Sequence, residues 1–147
     1  MNQPNKNIIQ KVVLGGVVVR DGKILILQRH KDEETYSNMW ELPSGKREEL
    51  ESSEAALLRE VREESGLEVE IIAPISTFEY QVEDADEIRD YTQINFLVRP
   101  VGAKEVVLSG EHQAFAWVTP AELDRYNLTE ATKGVIKKAF GMISANI

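Results

Sequence analysis

Glu60, Glu63 and Glu64 are the residues whose types and spacing could do chemistry. Successive residues of an α-helix turn by about 100°, so on a helix these three carboxylates share an arc of about 100°. Leu57, Val61 and Leu58 fall on the adjoining arc and form a stripe for burial. Ala56 projects between Glu63 and Glu60, where a small side chain leaves room above the acidic face. Like charges three and four residues apart repel by a few tenths of a kcal/mol per pair, about 0.2–0.5. Arg59, four residues before Glu63, relieves one of them, and the rest of the cluster suits a hard cation. Mg²⁺ takes oxygen ligands and keeps several waters, which supply a nucleophile while the ion neutralises phosphate oxygens. The plainer alternative is a solvated acidic helix face, the usual meaning of a charge run. The flanking residues decide between the two.

A helix over Ser52–Ser65 would position these groups. Ser52 or Ser53 can cap it, Glu54 suits its first turn, and Gly66 suits the left-handed position after its end. Before it, Lys11–Arg20 reads as a valine-rich strand, with Gly15–Gly16 marking a bulge or a close backbone approach. Asp21–Gly22 is a hairpin turn, and Lys23–Arg29 returns as a second strand. His30–Asn38 is a polar loop, and Pro43 stops any helix near Trp40. After it, strands are expected within Leu67–Glu83 and over Ile88–Arg99, joined by the acidic Glu83–Glu87 link, and then over Ala114–Val118. Thr119–Pro120 caps a short helix near Glu122, and Thr129 starts a last helix to about Met142. The pattern is α/β: a mixed sheet with helices packed on it.

The chain has 147 residues, which fits one domain over 1–147, with 1–10 as a flexible lead-in. It contains no cysteine, which excludes disulfides and thiolate chemistry and points to a cytoplasmic home. No apolar run reaches the roughly 20 residues of a membrane span. The net charge is -8, and no dense basic cluster appears, so neither a membrane nor a nucleic acid is expected as partner. A small phosphorylated ligand would need cations to screen it. A homodimer through exposed apolar strands stays open.

From Gly45 the chain runs GKREELESSEAALLREVREESGL. This resembles the box of the Nudix hydrolase family at Gly45, Glu51, Arg59, Glu60, Val61, Glu63, Glu64, Gly66 and Leu67, without gap or mismatch. Trp40-Glu41-Leu42-Pro43 before it and Gly110–Leu123 after it extend the likeness towards the MutT-type pyrophosphohydrolases. Ser44 and Leu50 depart from the pattern, since glycine is usual at both positions. The resemblance implies a Nudix-type α/β/α sandwich with a mixed, mostly antiparallel β-sheet. It implies Glu60, Glu63 and Glu64 as ligands of Mg²⁺ or Mn²⁺, joined by the backbone carbonyl of Ser44. Arg59 and Glu51 would orient the carboxylates, and Glu111 is similar to a later-loop carboxylate that serves as ligand or general base in some members.

The implied reaction is metal-dependent hydrolysis of a nucleoside diphosphate linked to a further group X. Arg29 and Lys46 are candidates to meet phosphate, and Trp40 to stack on a base, against a core role for Trp40. His30 and His112 lack metal-ligand spacing and read as bland. Some ADP-ribose-selective members carry a proline about fifteen residues past the box, and some dinucleoside-polyphosphate hydrolases a tyrosine beyond it. Val82 and Glu83–Ala85 show neither, which favours a nucleoside triphosphate or another compact nucleotide. The alternatives are a nucleotide-sensing domain without turnover and an ADP-ribose or nucleotide-sugar hydrolase. An isomerase or mRNA-decapping variant is a more distant rival.

Overall fold

The computed structural model describes residues 6–146. Strands β1 (Asn7–Arg20), β2 (Lys23–Arg29), β3 (Trp40–Glu41) and β4 (Ser44–Lys46) precede helix α1 (Ser53–Ser65). Strands β5 (Val69–Glu83), β6 (Glu87–Pro100) and β7 (His112–Val118) follow, then a 3₁₀ helix (Pro120–Arg125) and helix α2 (Glu130–Asn146). The sheet order is β3-β2-β1-β6-β5, with β4 paired to β1 and β7 to β2. All these pairings are antiparallel except β1 with β6, which run parallel from Asn7 opposite Glu87 to Val18 opposite Val98.

Side chains alternate across a strand, so β1 and β2 feed two cores. Val17, Val19, Ile24 and Ile26 pack with Leu123, Ile136 and Phe140 on the α2 side. Leu14, Val18, Leu25 and Leu27 pack with Leu57, Val61 and Leu67 on the α1 side. Burial on both faces explains why Lys23–Arg29 reads as a nearly continuous apolar run. The result is the expected sandwich. Each fully buried aliphatic side chain contributes about 1.5–3 kcal/mol to it. The Gly15–Gly16 pair is a close approach: a Cβ on Gly16 would lie 2.7 Å from Cγ2 of Val61.

The Asp21–Gly22 turn has φ of 54° and 76°, the left-handed pair of a tight hairpin. The lead-in is shorter than expected, because β1 already starts at Asn7 and pairs with β6 there. Met1–Asn5 lie outside the described residues. No helix among the described residues is long and apolar enough to cross a membrane.

Candidate functional site

Helix α1 carries the acidic residues where the spacing puts them. Ser52 Oγ accepts from the Ala55 backbone N–H, and Gly66 closes the helix in the left-handed conformation. The acidic and apolar faces are not separate, however. Ala56, Leu57, Val61, Glu64 and Ser65 are all buried, while Leu58 is only partly so. Ala56 therefore fills core rather than leaving space above the carboxylates. Glu64, about 40° round from Glu60 at 100° per residue, points inward beside Leu57. Glu63 points out, with its side chain 55% exposed.

Arg59 ties the preceding loop to the helix. It donates to both oxygens of Glu51, from Nε at 2.8 Å and Nη2 at 2.9 Å. Its Nη1 donates to Glu60 at 2.7 Å, and Nη2 also to the Lys46 carbonyl at 3.1 Å. Such a two-pronged pair fixes orientation as well as energy. The Arg59 hydrogen bond and the Glu48 backbone N–H together pull the Glu51 carboxyl down to about 2. Arg59 is held charged by the same bonds. Gly45 passes directly over Glu60, where an added Cβ would meet the carboxylate at 2.1 Å.

Glu64 has the opposite environment. Burial pushes its carboxyl up to about 9, against the Ser44 backbone N–H that donates to it at 2.9 Å. The charges of Glu41, Glu111 and Glu60 push it the same way. Burial also raises Glu60, with Glu63 and Glu111 adding to the effect and Arg59 opposing it. As the side chains stand, no three acidic or histidine residues among the described ones converge tightly enough to hold a metal ion. The donor chemistry nevertheless fits one. These are hard oxygen donors whose mutual repulsion Arg59 only partly offsets, and a divalent cation would neutralise them.

Two hollows meet at this point. One, of about 390 Å³, is lined by Glu41, Glu64 and Glu111 together with Arg29, Lys46 and Arg89. The other, of about 220 Å³, lies against the α2 side of the sheet. Its walls include Trp40, Phe78, Tyr80 and Gln93. Tyr36, Glu41, Ser44 and Tyr80 line both.

Among the expected ligand-contacting residues, Trp40 packs in the fold and also reaches the wall of a hollow. It stacks edge-on against Tyr126 at 4.9 Å and also lines the aromatic hollow. Lys46 Nζ sits 5.8 Å over the Tyr91 ring. Arg29 is already engaged, donating to Glu33 at 3.1 Å and Glu41 at 3.3 Å. Ser44 is half-buried in β4 beside Glu64.

The NUDIX domain family profile matches residues 11–139, most of the chain. The protein belongs to the Nudix family. It is 33% identical over 134 residues to the putative 8-oxo-dGTP diphosphatase 2 of Mycobacterium tuberculosis, covering 88% of this chain and 87% of that protein. It is 30% identical over 125 residues to the CTP pyrophosphohydrolase of Escherichia coli K12, covering 81% and 83%. Among solved structures, the E. coli ORF135 protein superposes with a TM-score of 0.69 at 29% identity, over 95% of this chain and 94% of that one. The MutT NUDIX hydrolase of Burkholderia pseudomallei gives 0.73 at 26% identity, over 88% and 97%.

Outside the Nudix box, sequence reasoning missed Glu41, Gln93, Arg89 and His112. Glu41 lies in the Trp40–Pro43 segment that extends the likeness, so a signal for it existed. His112, expected to be bland, is buried and sits 2.9 Å from Glu41. The pairing is long-range and no local pattern announces it.

Proposed function

We propose that this Nudix hydrolase cleaves the diphosphate linkage of a nucleoside triphosphate or a related nucleoside diphosphate derivative. The observation that carries this is the division of labour between the two hollows. Arg29, Lys46 and Arg89 line one together with Glu64, Glu111 and Tyr91; Trp40 and Phe78 line the other; and Glu41, Ser44, Tyr36 and Tyr80 join them. A nucleotide has the same polarity, with a flat base at one end and anionic phosphates at the other.

Glu60, Glu63 and Glu64, with the Ser44 carbonyl, would hold Mg²⁺ or Mn²⁺. When bound, the cation supplies charge neutralisation at phosphate oxygens and an acidified water. The chain's own residues do the rest. Arg59, fixed by Glu51, orients Glu60 and closes the loop over the helix. Lys46 and Arg89 offer positive charge to the phosphates, and Arg29 adds its own while holding Glu41. Glu111, which lines the same hollow as Glu64, would accept a proton from the attacking water. Tyr80, whose phenol burial pushes up to about 12, stays neutral and walls both hollows. Positioning and neutralisation supply most of the acceleration in reactions of this type.

The test is a panel assay of pyrophosphate and phosphate release from nucleoside triphosphates, ADP-ribose and nucleotide sugars, with and without Mg²⁺. Glu64→Gln and Glu63→Gln should each lose most turnover while keeping the fold. Near-parental rates in both variants at saturating Mg²⁺ would overturn the role given to the acidic helix. Tight nucleotide binding with no turnover across the panel would favour a sensing domain instead.

A further inference from the structure

Gln93, only 8% exposed, forms part of the aromatic hollow. Its amide is oriented by a chain of hydrogen bonds. Asn95 Nδ2 donates to the Ser76 carbonyl at 3.4 Å, which leaves Asn95 Oδ1 as an acceptor. Gln93 Nε2 donates to that oxygen at 2.9 Å. That bond uses one of the two Nε2 N–H groups, and the acceptor left over is Gln93 Oε1, to which no group among the described residues donates. Gly15 holds the pair in place, because its backbone packs onto the Nε2 side. A Cβ there would lie 2.8 Å from Gln93 Nε2 and 2.4 Å from Asn95 Oδ1.

The remaining charges around this hollow are also acceptors, the carboxylates of Glu41 and Glu79, with no lysine or arginine among the described residues of its lining. The cations Arg29, Lys46 and Arg89 all line the other hollow. Hydroxyls of Tyr36, Ser44, Tyr80, Thr129 and Thr132 and the Trp40 indole also line it, so its acceptor-only groups are Gln93 Oε1 and the two carboxylates.

We infer that the aromatic hollow selects a nucleobase with an exocyclic amino group, whose N–H donates to Oε1 of Gln93. This rests on the nucleotide reading given above. A base with a carbonyl oxygen at the same place would set lone pair against lone pair. One without the amino group would leave Oε1 desolvated and unpaired. Sites that hydrogen-bond a substrate group reject the analogue lacking it more strongly than apolar sites reject a methylene.

Product binding tests the inference without catalysis. Calorimetry on the whole chain would compare CMP with its 4-deamino (2-pyrimidinone) analogue, and GMP with IMP, pairs that differ at one amino group. The amino-bearing member of at least one pair should bind about tenfold tighter or better, the effect of one well-made hydrogen bond in a closed site. The corresponding triphosphates should show the same order in kcat/KM. Gln93→Met should bring the ratio to within about twofold, since the oxygen acceptor is lost at similar volume. Gln93→Glu keeps an acceptor and should keep the preference, which covers the case in which the methionine variant does not fold. Equal affinities within both pairs for the parent protein would overturn the inference, as would an unchanged ratio in a folded Gln93→Met. A preference in binding with no turnover of any nucleotide would remove the proposed hydrolysis and leave the base selection standing.

Discussion

Oε2 of Glu41 lies 2.9 Å from Nε2 of His112, whose side chain is fully buried while Glu41 faces both hollows. The contact joins β3 to the first residue of β7, with β2 between them. Arg29 Nη1 donates to the same oxygen at 3.3 Å, so Glu41 is gripped from two sides. Because a carboxylate oxygen only accepts, Nε2 of His112 is the donor in this contact. Nδ1 is buried with no partner among the described residues. We predict that His112 serves the site by positioning Glu41, which faces both hollows.

His112→Phe tests that role. It keeps ring volume, removes the donor to Glu41 and also removes the unpaired Nδ1. The two polar effects oppose each other, so the stability change should stay within about 1 kcal/mol. Activity should fall about tenfold in kcat/KM, because Glu41 loses one of its two anchors, a hydrogen bond worth roughly 1 kcal/mol or more. His112→Gln, which keeps a donor, should recover part of the loss. Steady-state kinetics on a nucleotide substrate, together with urea melts, separate positioning from folding. Parental kcat/KM in a folded His112→Phe would refute the role.

Glu51 gives a pH-dependent signature. Its carboxyl is held down to about 2 from 4.5, first by the Arg59 hydrogen bond and then by the Glu48 backbone N–H. A depressed carboxyl contributes stability above its unfolded pKa and loses it as pH falls through the folded one. The window is therefore from about pH 4.5 down to about pH 2. The parent protein should be more stable than Glu51→Gln above that window, and the gap should close steadily within it. Urea midpoints at stepped pH measure this. A gap that stayed constant across the window would contradict the assignment.

The legible parts of this molecule were local. Ser52 caps through its side chain onto a backbone N–H three residues on, Gly66 and Asp21–Gly22 act through their own backbone, and the structure uses them as caps and turn. The extension of β1 back to Asn7 is not local, since Asn7–Lys11 become strand by pairing with Glu87–Tyr91 far along the chain. The inward turn of Glu64 was hidden for a related reason. A helical projection shows which residues share an arc, but not how wide an arc the sheet covers. Gln93 was unreadable because its meaning depends on Asn95, Ser76 and Gly15 meeting in three strands.

Leu50 is a local departure with a measurable cost. It is fully exposed and sits at φ 61°, where the resemblance led us to expect glycine. A left-handed residue with a Cβ costs about 1–2 kcal/mol. Glycine gives back part of this, about 0.5–1 kcal/mol, through the greater freedom of its unfolded chain. Leu50→Gly should therefore stabilise the protein by roughly 0.5 kcal/mol with activity unchanged. Leu50→Ile, β-branched, should move the urea midpoint the other way. A lower midpoint for the glycine variant would show that the exposed leucine makes a stabilising contact.

Gly45→Ala probes how tightly the loop is laid over the helix. The added Cβ would fall 2.1 Å from Cδ and Oε2 of Glu60 and 2.5 Å from Oε1. No real contact is that short, so something must move. The obstacle is the far end of a flexible side chain, and the carboxylate can swing aside more readily than strand β4 can leave β1. The fold should survive with a loss of about 1–2 kcal/mol, less than a core deletion. Glu60 would leave its 2.7 Å hydrogen bond with Arg59 and its place beside Glu64. Turnover should then fall on the order of a hundredfold, as misplacement by an ångström does in sites that act by positioning. The double variant Gly45→Ala with Glu60→Gln identifies the cause. If glycine is needed only to make room for Glu60, the double variant should be no slower than Glu60→Gln alone. Additive losses would mean that Gly45 serves the site in another way, such as by letting a phosphate approach the backbone.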